Sequence, residues 1–520
     1  MAFLNLDLLK KDGLELRDYQ QRAAEKAVDK SLLVVMPTAL GKTFVAVLAI
    51  AHLLATQKKR ILFLAPTKPL ALQQASRLRE LLLIPPESIV LVTGEIAPSK
   101  RVEAYQTARI VCGTPQTVEH DVLAGRLKLS DFSMAVFDEA HRSVGNYAYV
   151  FLGKQVQKHG VLALGLTASP SSRREKIEEI CASLGIHDLE VRTERDDDVK
   201  AFVKDVQMRW EFIDLPEDLK ELRILLEDIL REPLRALRDQ GFLQSSALAK
   251  VNKRELLLLR SKILAVTRED TRAYSALSAL AKALNLVHAI DLLESQGVDA
   301  LKSFIESLAE RKSKTKAVQS LIADFRVEKI RLKCDSLLKA GLEHPKMRKL
   351  KEIVAEAAAD SKTIIVFAHY RDSVKQIARE LNSIAGITAV EFVGRSEGGM
   401  TQKKQAEVLD RFRNKGFNVL VATSVGEEGL DIPSVDLVVF YEAVPSEIRL
   451  IQRRGRAGRV RAGEAVVLVT KDSKDEAYFW IARRKERVMH EVLRDLKKDF
   501  AEKENVLPAN KDKQQSLKDY

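Results

Sequence analysis

Short apolar runs alternate with amphipathic stretches over residues 31 to 170. SLLVVM, RILFLAP, SIVLVTG, RIVCGTP, MAVFDEAH and VLALGLTAS are near-continuous in apolar residues. That suits strands buried on both faces rather than strands with one wet side. Between them, KTFVAVLAIAHLLATQ and LALQQASRLRELLL repeat their apolar residues at helical spacing. Strands alternating with helices predict a parallel sheet covered on both faces. The pattern returns later, with strands TIIVFAHY, ITAVEFVG, NVLVATS, LVVFYEA and EAVVLVT and helices RDSVKQIARELNSI and QKKQAEVLDRFRNKG. Residues 217 to 343 lack strand signals. There Leu219, Leu222, Leu226 and Ile229 recur at helical spacing, and 254–266, 275–293 and 300–308 continue the pattern. The expected fold is α/β, with two parallel-sheet domains (1–205 and 346–485), an all-helical insert (206–345) and a tail (486–520) that is helical, then flexible.

Composition narrows the function. A chain of 520 residues is too long for one core. No apolar run approaches the roughly 18 residues of a membrane span. The start, MAFLNLDLLKKDG, lacks the basic and apolar regions of a secretory signal. Cys112, Cys181 and Cys334 are far apart and form no C-x-x-C pair, which disfavours a zinc site or disulfide framework and fits a reducing cytosol. A cytoplasmic protein with no membrane partner is expected. A net charge of +12 favours a polyanionic partner, nucleic acid first. The densest basic region is RKSKTK (311–316) with Arg326, Lys329, Arg331 and Lys333, inside the helical insert.

Three segments carry candidate chemistry. In SLLVVMPTALGKTFVAV a strand, a tight loop and a helix follow one another, the context of a phosphate-binding loop. Pro37, Thr38, Ala39, Leu40 and Gly41 would wrap the phosphates, Lys42 would reach the β- and γ-phosphates, and Thr43 would hold Mg²⁺. In MAVFDEAH a buried strand ends in two carboxylates. Asp138 suits a magnesium ligand and Glu139 the base that orients the attacking water. In IQRRGRAGR (451–459), Arg456 and Arg459 stand beside glycines, as a charge clamp on a transferring phosphoryl group requires. They can act there only if the two α/β units close on one nucleotide.

These segments, in this order, make the chain resemble a superfamily 2 helicase with two RecA-like domains. RDYQ (17–20) resembles the adenine-reading segment, with Gln20 in the glutamine place. APTKPLALQQ (65–74) and GTPQTV (113–118) resemble segments that contact the strand backbone. DEAH (138–141) places His141, and TAS (167–169) places Thr167 and Ser169, in the coupling motifs. VATSVGEEGLDIPSVD (421–436) resembles motif V, with Gly429 and Asp431 on the nucleotide, and QRRGRAGR resembles motif VI, beginning at Gln452. DEAHRSVGNYAYV, MTQKKQAEVLDRFR and ATSVGEEGLDIPSVDLVVFYEAVPSEIRLIQRRGRAGR are similar to archaeal Hef and its eukaryotic relative, the Fanconi-anaemia M helicase. The resemblance covers residues 1 to about 495. It implies a helical insert between the RecA-like domains, use of ATP and Mg²⁺, and translocation on forked or branched DNA in replication-fork repair.

Two departures matter. The family pattern is PTGLGKT, and Ala39 stands in place of its middle glycine. If that position needs a positive φ, alanine costs roughly 1–2 kcal/mol. Gly41 is the residue whose missing Cβ the phosphates are expected to need. Many archaeal members also carry an XPF-type nuclease marked by E-R-K-x-x-x-D. Here ERK spans Glu310 to Lys312, but Lys316 fills the Asp place, so no nuclease is expected in this chain. QQSLKDY sets Gln514, Leu517 and Tyr520 at the spacing of the motif that docks on PCNA-type sliding clamps. Two rivals stand beside the DNA helicase. One is a double-stranded-RNA-dependent ATPase; the other is a weakly hydrolysing DNA-binding scaffold that recruits a clamp and a separate nuclease.

Overall fold

The computed structural model describes residues 4–10, 15–37, 40–193, 196–200, 202, 207–248, 253–266, 272–311, 315–394, 399–423, 435–443 and 463–506. The first sheet contains β1 (Leu32–Val35), β2 (Arg60–Leu64), β3 (Ile89–Val92), β4 (Ile110–Gly113), β5 (Phe132–Asp138), β6 (Leu162–Thr167) and β7 (Asp188–Val191). Its order is β3-β4-β2-β5-β6-β1-β7, and all pairings are parallel. Leu32 and Val34 enter one core cluster, and Leu33 and Val35 enter another on the opposite face. This double burial is why the strands read as unbroken apolar runs. Helix Lys42–Thr56 is among the most buried, with ten of its residues inside.

The second sheet contains β8 (Gln207–Ile213), β9 (Ile364–Phe367), β10 (Ala389–Phe392), β11 (Val419–Ala422), β12 (Leu437–Phe440) and β13 (Glu464–Thr470). Its order is β10-β11-β9-β12-β13-β8, again parallel throughout. Ile364 and Val366 face one core, Ile365 and Phe367 the other.

Two strands escape the hydrophobic pattern. β7 (DLEV) and β8 (QMRWEFI) are edge strands with charged positions, so neither forms an apolar run. β8 also shifts a boundary. An insert that opens at residue 206 takes this strand into the bundle, yet it pairs with β13 along its whole length. Trp210 and Phe212 pack edge-on against Phe479, which fixes the strand to the second domain.

The bundle follows, with helices Glu217–Asp239, Lys253–Val266, Arg272–Ser295, Val298–Glu310, Lys316–Ile322 and Phe325–Lys339. Leu219, Leu222, Leu226 and Ile229 are all in its core. Among the described residues, Arg272–Ser295 is the one helix long and apolar enough to cross a membrane; in this fold it packs within the bundle core. The basic positions of the bundle are partly neutralised. Arg326 pairs with Asp324 and Glu232, Arg331 with Glu328 and Asp335, and Lys333 with Glu221.

The last helix, Lys474–Val506, begins ahead of the expected tail boundary. It leaves the second sheet and returns to the first domain. Met489, Leu493 and Leu496 are buried in the first domain's core, and Arg174 pairs with Asp499 at 2.5 Å.

Candidate nucleotide site

Parallel sheets present their sites at the C-terminal ends of their strands, where loops leave for the helices. The loop after β1 reaches helix Lys42–Thr56 through Gly41, which is left-handed at φ 78° and ψ 39°. A Cβ at Gly41 would sit 2.4 Å from Nε2 of Gln20. The backbone turn and the Gln20 amide therefore each demand glycine here, before any phosphate is considered. Gln20 Nε2 and the Tyr19 hydroxyl both donate to the Leu40 carbonyl, at 2.9 and 3.0 Å. Helix Asp18–Asp29 thus braces the loop from outside. The Lys42 ammonium donates to the Met36 carbonyl at 2.9 Å and so is folded across the loop. Thr43 lies in the first turn of the same helix, whose N–H groups form a ready anion site.

β5 delivers the carboxylates. Asp138 is its last residue, and Glu139 follows at φ 52° and ψ 50°. A non-glycine residue in that region stores about 1–3 kcal/mol of strain, typical of functional sites. Both Asp138 oxygens are held: Oδ1 accepts from the Glu139 N–H at 3.1 Å, and Oδ2 accepts from Gln74 Nε2 at 3.2 Å. The Tyr149 hydroxyl lies 2.7 Å from the Asp138 carbonyl oxygen, fixing the strand end. Burial, then the Glu139 charge, push the Asp138 carboxyl well above the usual range, against the pull of Lys42. Burial also opposes ionisation of Glu139, but His141, Lys42 and Arg142 outweigh it and hold its carboxyl below the usual range. Two adjacent acids whose environments push them apart suit two different roles.

β6 completes the edge. The Met36 N–H donates to the Thr167 carbonyl at 3.1 Å, joining the β1 loop to this strand. His141 Nδ1 lies 3.2 Å from the Thr167 hydroxyl and 3.4 Å from Glu139 Oε2. The Ser169 N–H donates to the Thr167 hydroxyl at 3.3 Å. The structure therefore gathers Gln20, Pro37, Leu40, Gly41, Lys42, Thr43, Asp138, Glu139, His141, Thr167 and Ser169 along one edge of the first sheet. Thr38, Ala39, Gly429, Asp431, Gln452, Arg456, Arg459, Gln514, Leu517 and Tyr520 lie outside the described residues.

The residues present fit a cation shared with a nucleotide. Among the described residues, no cluster of three or more His, Cys, Asp or Glu side chains could enclose a metal by itself. Mg²⁺ is commonly held by one or two carboxylates, phosphates and water. Asp138 offers the carboxylate, and the Thr43 hydroxyl in the first turn of the helix is a further oxygen donor.

Sequence reasoning missed Tyr19, Tyr149 and Gln74. The signal for Gln74 was available. Ala71, Gln74, Ala75 and Leu78 form the buried face of helix Lys68–Leu81, so Gln74 is the polar residue on an apolar stripe.

The segments expected to meet a strand backbone lie on the same edge. Helix Lys68–Leu81 is capped by the Thr67 side chain. Helix Pro115–Leu123 follows β4, and its Asp121 accepts from Arg101, Tyr105 and Arg126 at 2.6 to 2.8 Å. Burial works against ionisation of Asp121, but those three partners prevail and hold its carboxyl at about 2.

Comparison with known proteins agrees with this geometry. Residues 17–177 match the DEAD/DEAH box helicase family, 345–461 the helicase conserved C-terminal domain, and 218–344 a helical-bundle family of candidate ATP-dependent RNA helicases. The Pyrococcus furiosus Hef helicase domain, known from a crystal structure, superposes with a TM-score of 0.73 at 45% identity, covering 91% of this chain and 99% of that one. A candidate ATP-dependent RNA helicase of Methanocaldococcus jannaschii is 42% identical over 95% of this chain and 63% of its own length. The ATP-dependent DNA helicase mph1 of Neurospora crassa is 34% identical over 89% of this chain and 42% of its own. This chain thus spans less than two thirds of each of these two curated relatives. With both sheets, the intervening bundle and the nucleotide edge in place, the chain belongs to the Hef and Fanconi-anaemia M family of DEAD/DEAH-box helicases.

Proposed function

We propose that the chain is an ATP-dependent DNA helicase or translocase that acts on forked or branched DNA in replication-fork repair. The observation that carries this reading is the convergence of Lys42, Asp138, Glu139 and the His141–Thr167 contact on one sheet edge in a Hef-family chain. ATP would supply the phosphoryl group, with Mg²⁺ neutralising its charge. Gln20 braces the loop and reads the adenine side. Lys42 exchanges the Met36 carbonyl for phosphate oxygens, and Thr43 and Asp138 hold the cation. Glu139, kept ionised beside His141, orients the attacking water. Arg456 and Arg459, with Gln452, Gly429 and Asp431, approach from the second domain and stabilise charge as the cleft closes. The path from Glu139 through His141 to Thr167 and Ser169 links the nucleotide to the cleft. Backbone contacts dominate DNA binding, because a translocase must not stop at a sequence.

A second reading, a duplex-RNA-dependent ATPase, is favoured by the RNA helicase names of the Methanocaldococcus relative and of the bundle family. ATP turnover by the full chain decides between them, measured with no nucleic acid, single-stranded DNA, duplex DNA, forked DNA and duplex RNA. Strongest stimulation by the fork supports the proposal. Strongest stimulation by duplex RNA overturns it, and negligible turnover with every addition favours the scaffold.

The same reading gives the C-terminal QQSLKDY segment to a PCNA-type clamp and places the protein in the cytoplasm with a separate nuclease as partner. Removing Gln514 to Tyr520 should abolish clamp capture and leave ATP turnover unchanged.

A further inference from the structure

We propose that Gln74 is a positioning residue for the nucleotide's divalent cation and ties the cation's placement to the segment that meets nucleic acid. The inference rests on the reading of this edge as a nucleic-acid-dependent ATP site.

Gln74 is 6% exposed. Its amide is oriented by its partner, with Nε2 donating to Asp138 Oδ2 at 3.2 Å. That leaves Oε1 buried, with no hydrogen-bond partner among the described residues. A buried acceptor without a donor is unfavourable, and native folds leave few of them. Beside a carboxylate suited to Mg²⁺, the natural donor is a water of the cation's own hydration shell, since Mg²⁺ retains several waters. Asp138 would then touch the cation directly, while Gln74 would orient Asp138 through Nε2 and a water through Oε1. Partners of this kind orient metal ligands and tune affinity.

The location adds the second half. Gln74 sits two turns along the helix capped by Thr67, within the APTKPLALQQ segment. That helix is one rigid element with a strand-facing start and a glutamine on the magnesium carboxylate. A shift of its first turn on DNA binding would move Gln74 against Asp138.

The test uses the full chain, Gln74→Leu, which removes both polar atoms, and Gln74→Glu, which restores an acceptor without the donor. A fluorescent ATP analogue is titrated in EDTA and in Mg²⁺. The leucine variant should bind it in EDTA within about twofold of wild type and lose about tenfold of the tightening that Mg²⁺ brings. The glutamate variant, which keeps the acceptor but loses the donor to Asp138, should recover part of that tightening. Forked DNA should lower the Mg²⁺ needed for half-maximal ATP turnover in wild type, and not in Gln74→Leu. The proposal is overturned if Gln74→Leu tightens with Mg²⁺ as wild type does, or if Gln74→Glu binds as weakly as Gln74→Leu. Should the leucine variant fail to fold, the glutamate variant decides alone, with lost tightening counting against the proposal. A wild-type chain without DNA-stimulated turnover would sink the helicase reading but leave the cation titration valid.

Discussion

Asp138 and Glu442 occupy comparable places in the two sheets. Asp138 ends β5 and Glu442 lies two residues past the end of β12; both strands are interior and both acids are buried. Each accepts a backbone N–H, from Glu139 at 3.1 Å or His369 at 2.8 Å. Burial raises both carboxyls, Glu442 to about 7. Their surroundings differ. Asp138 faces a second acid, a glutamine and the lysine of a left-handed glycine loop. Glu442 has Lys346 nearby, but that ammonium is paired with Asp475. A parallel sheet will put a buried acid at a strand end twice over. The loop after β1 is what sets a lysine and a helix N-terminus beside one of them.

The largest effects should come from breaking the first of these places. Glu139→Gln should keep ATP binding and slow turnover about a hundredfold or more, measured by steady-state hydrolysis. Lys42→Ala should lower turnover by a similar factor. Turnover within a few fold of wild type in either variant would remove the distinction between the two acids. Gly41→Ala should come next, because alanine at φ 78° is strained and its Cβ meets Gln20. Adding Gln20→Ala removes the collision and leaves the strain, so partial recovery of ATP binding in the double variant would separate the two causes.

Glu442→Gln should leave turnover within a few fold of wild type and act on stability instead. The Glu442 carboxyl holds its proton up to about pH 7 in the folded chain, against about 4.5 for a glutamate exposed to water. Its contribution is therefore fully present below about 4.5 and lost as pH rises through about 7. Glutamine, neutral throughout, avoids that loss. Its melting temperature should match wild type near pH 5 and exceed it by a few degrees near pH 8. Equal melting at both values would show that Glu442 is not buried as described. The smallest effect is expected from Ala39→Gly, with the KM for ATP changing less than about tenfold. A silent ATPase switched on by glycine would make the natural chain a scaffold.

Much of this was legible from periodicity. Strands buried on both faces announce themselves, and the described site residues from MPTALGKT and FDEAH share one sheet edge in the fold. Edge strands β7 and β8 were silent because charged residues break their apolar runs. The part that Gln20 plays at Gly41 was not legible, because Gln20, twenty-one residues earlier, is its neighbour only in space. The basic residues of the bundle looked available in sequence, while Glu232 and Glu221 come to meet Arg326 and Lys333 from another helix in the fold. Charge density along a chain does not report how much of that charge is already answered.

The returning helix Lys474–Val506 makes the two lobes a closed kinematic loop. The backbone already leaves the first lobe through β8 and the bundle, and the helix comes back to plant Met489, Leu493 and Leu496 in the first lobe's core. Withdrawing three such side chains would expose apolar area worth about 1.5–3 kcal/mol each. The lobes therefore have two attachments rather than one, and wholesale separation is expensive. Any relative movement of the lobes must therefore either keep this helix seated in the first lobe or expose those three side chains to water.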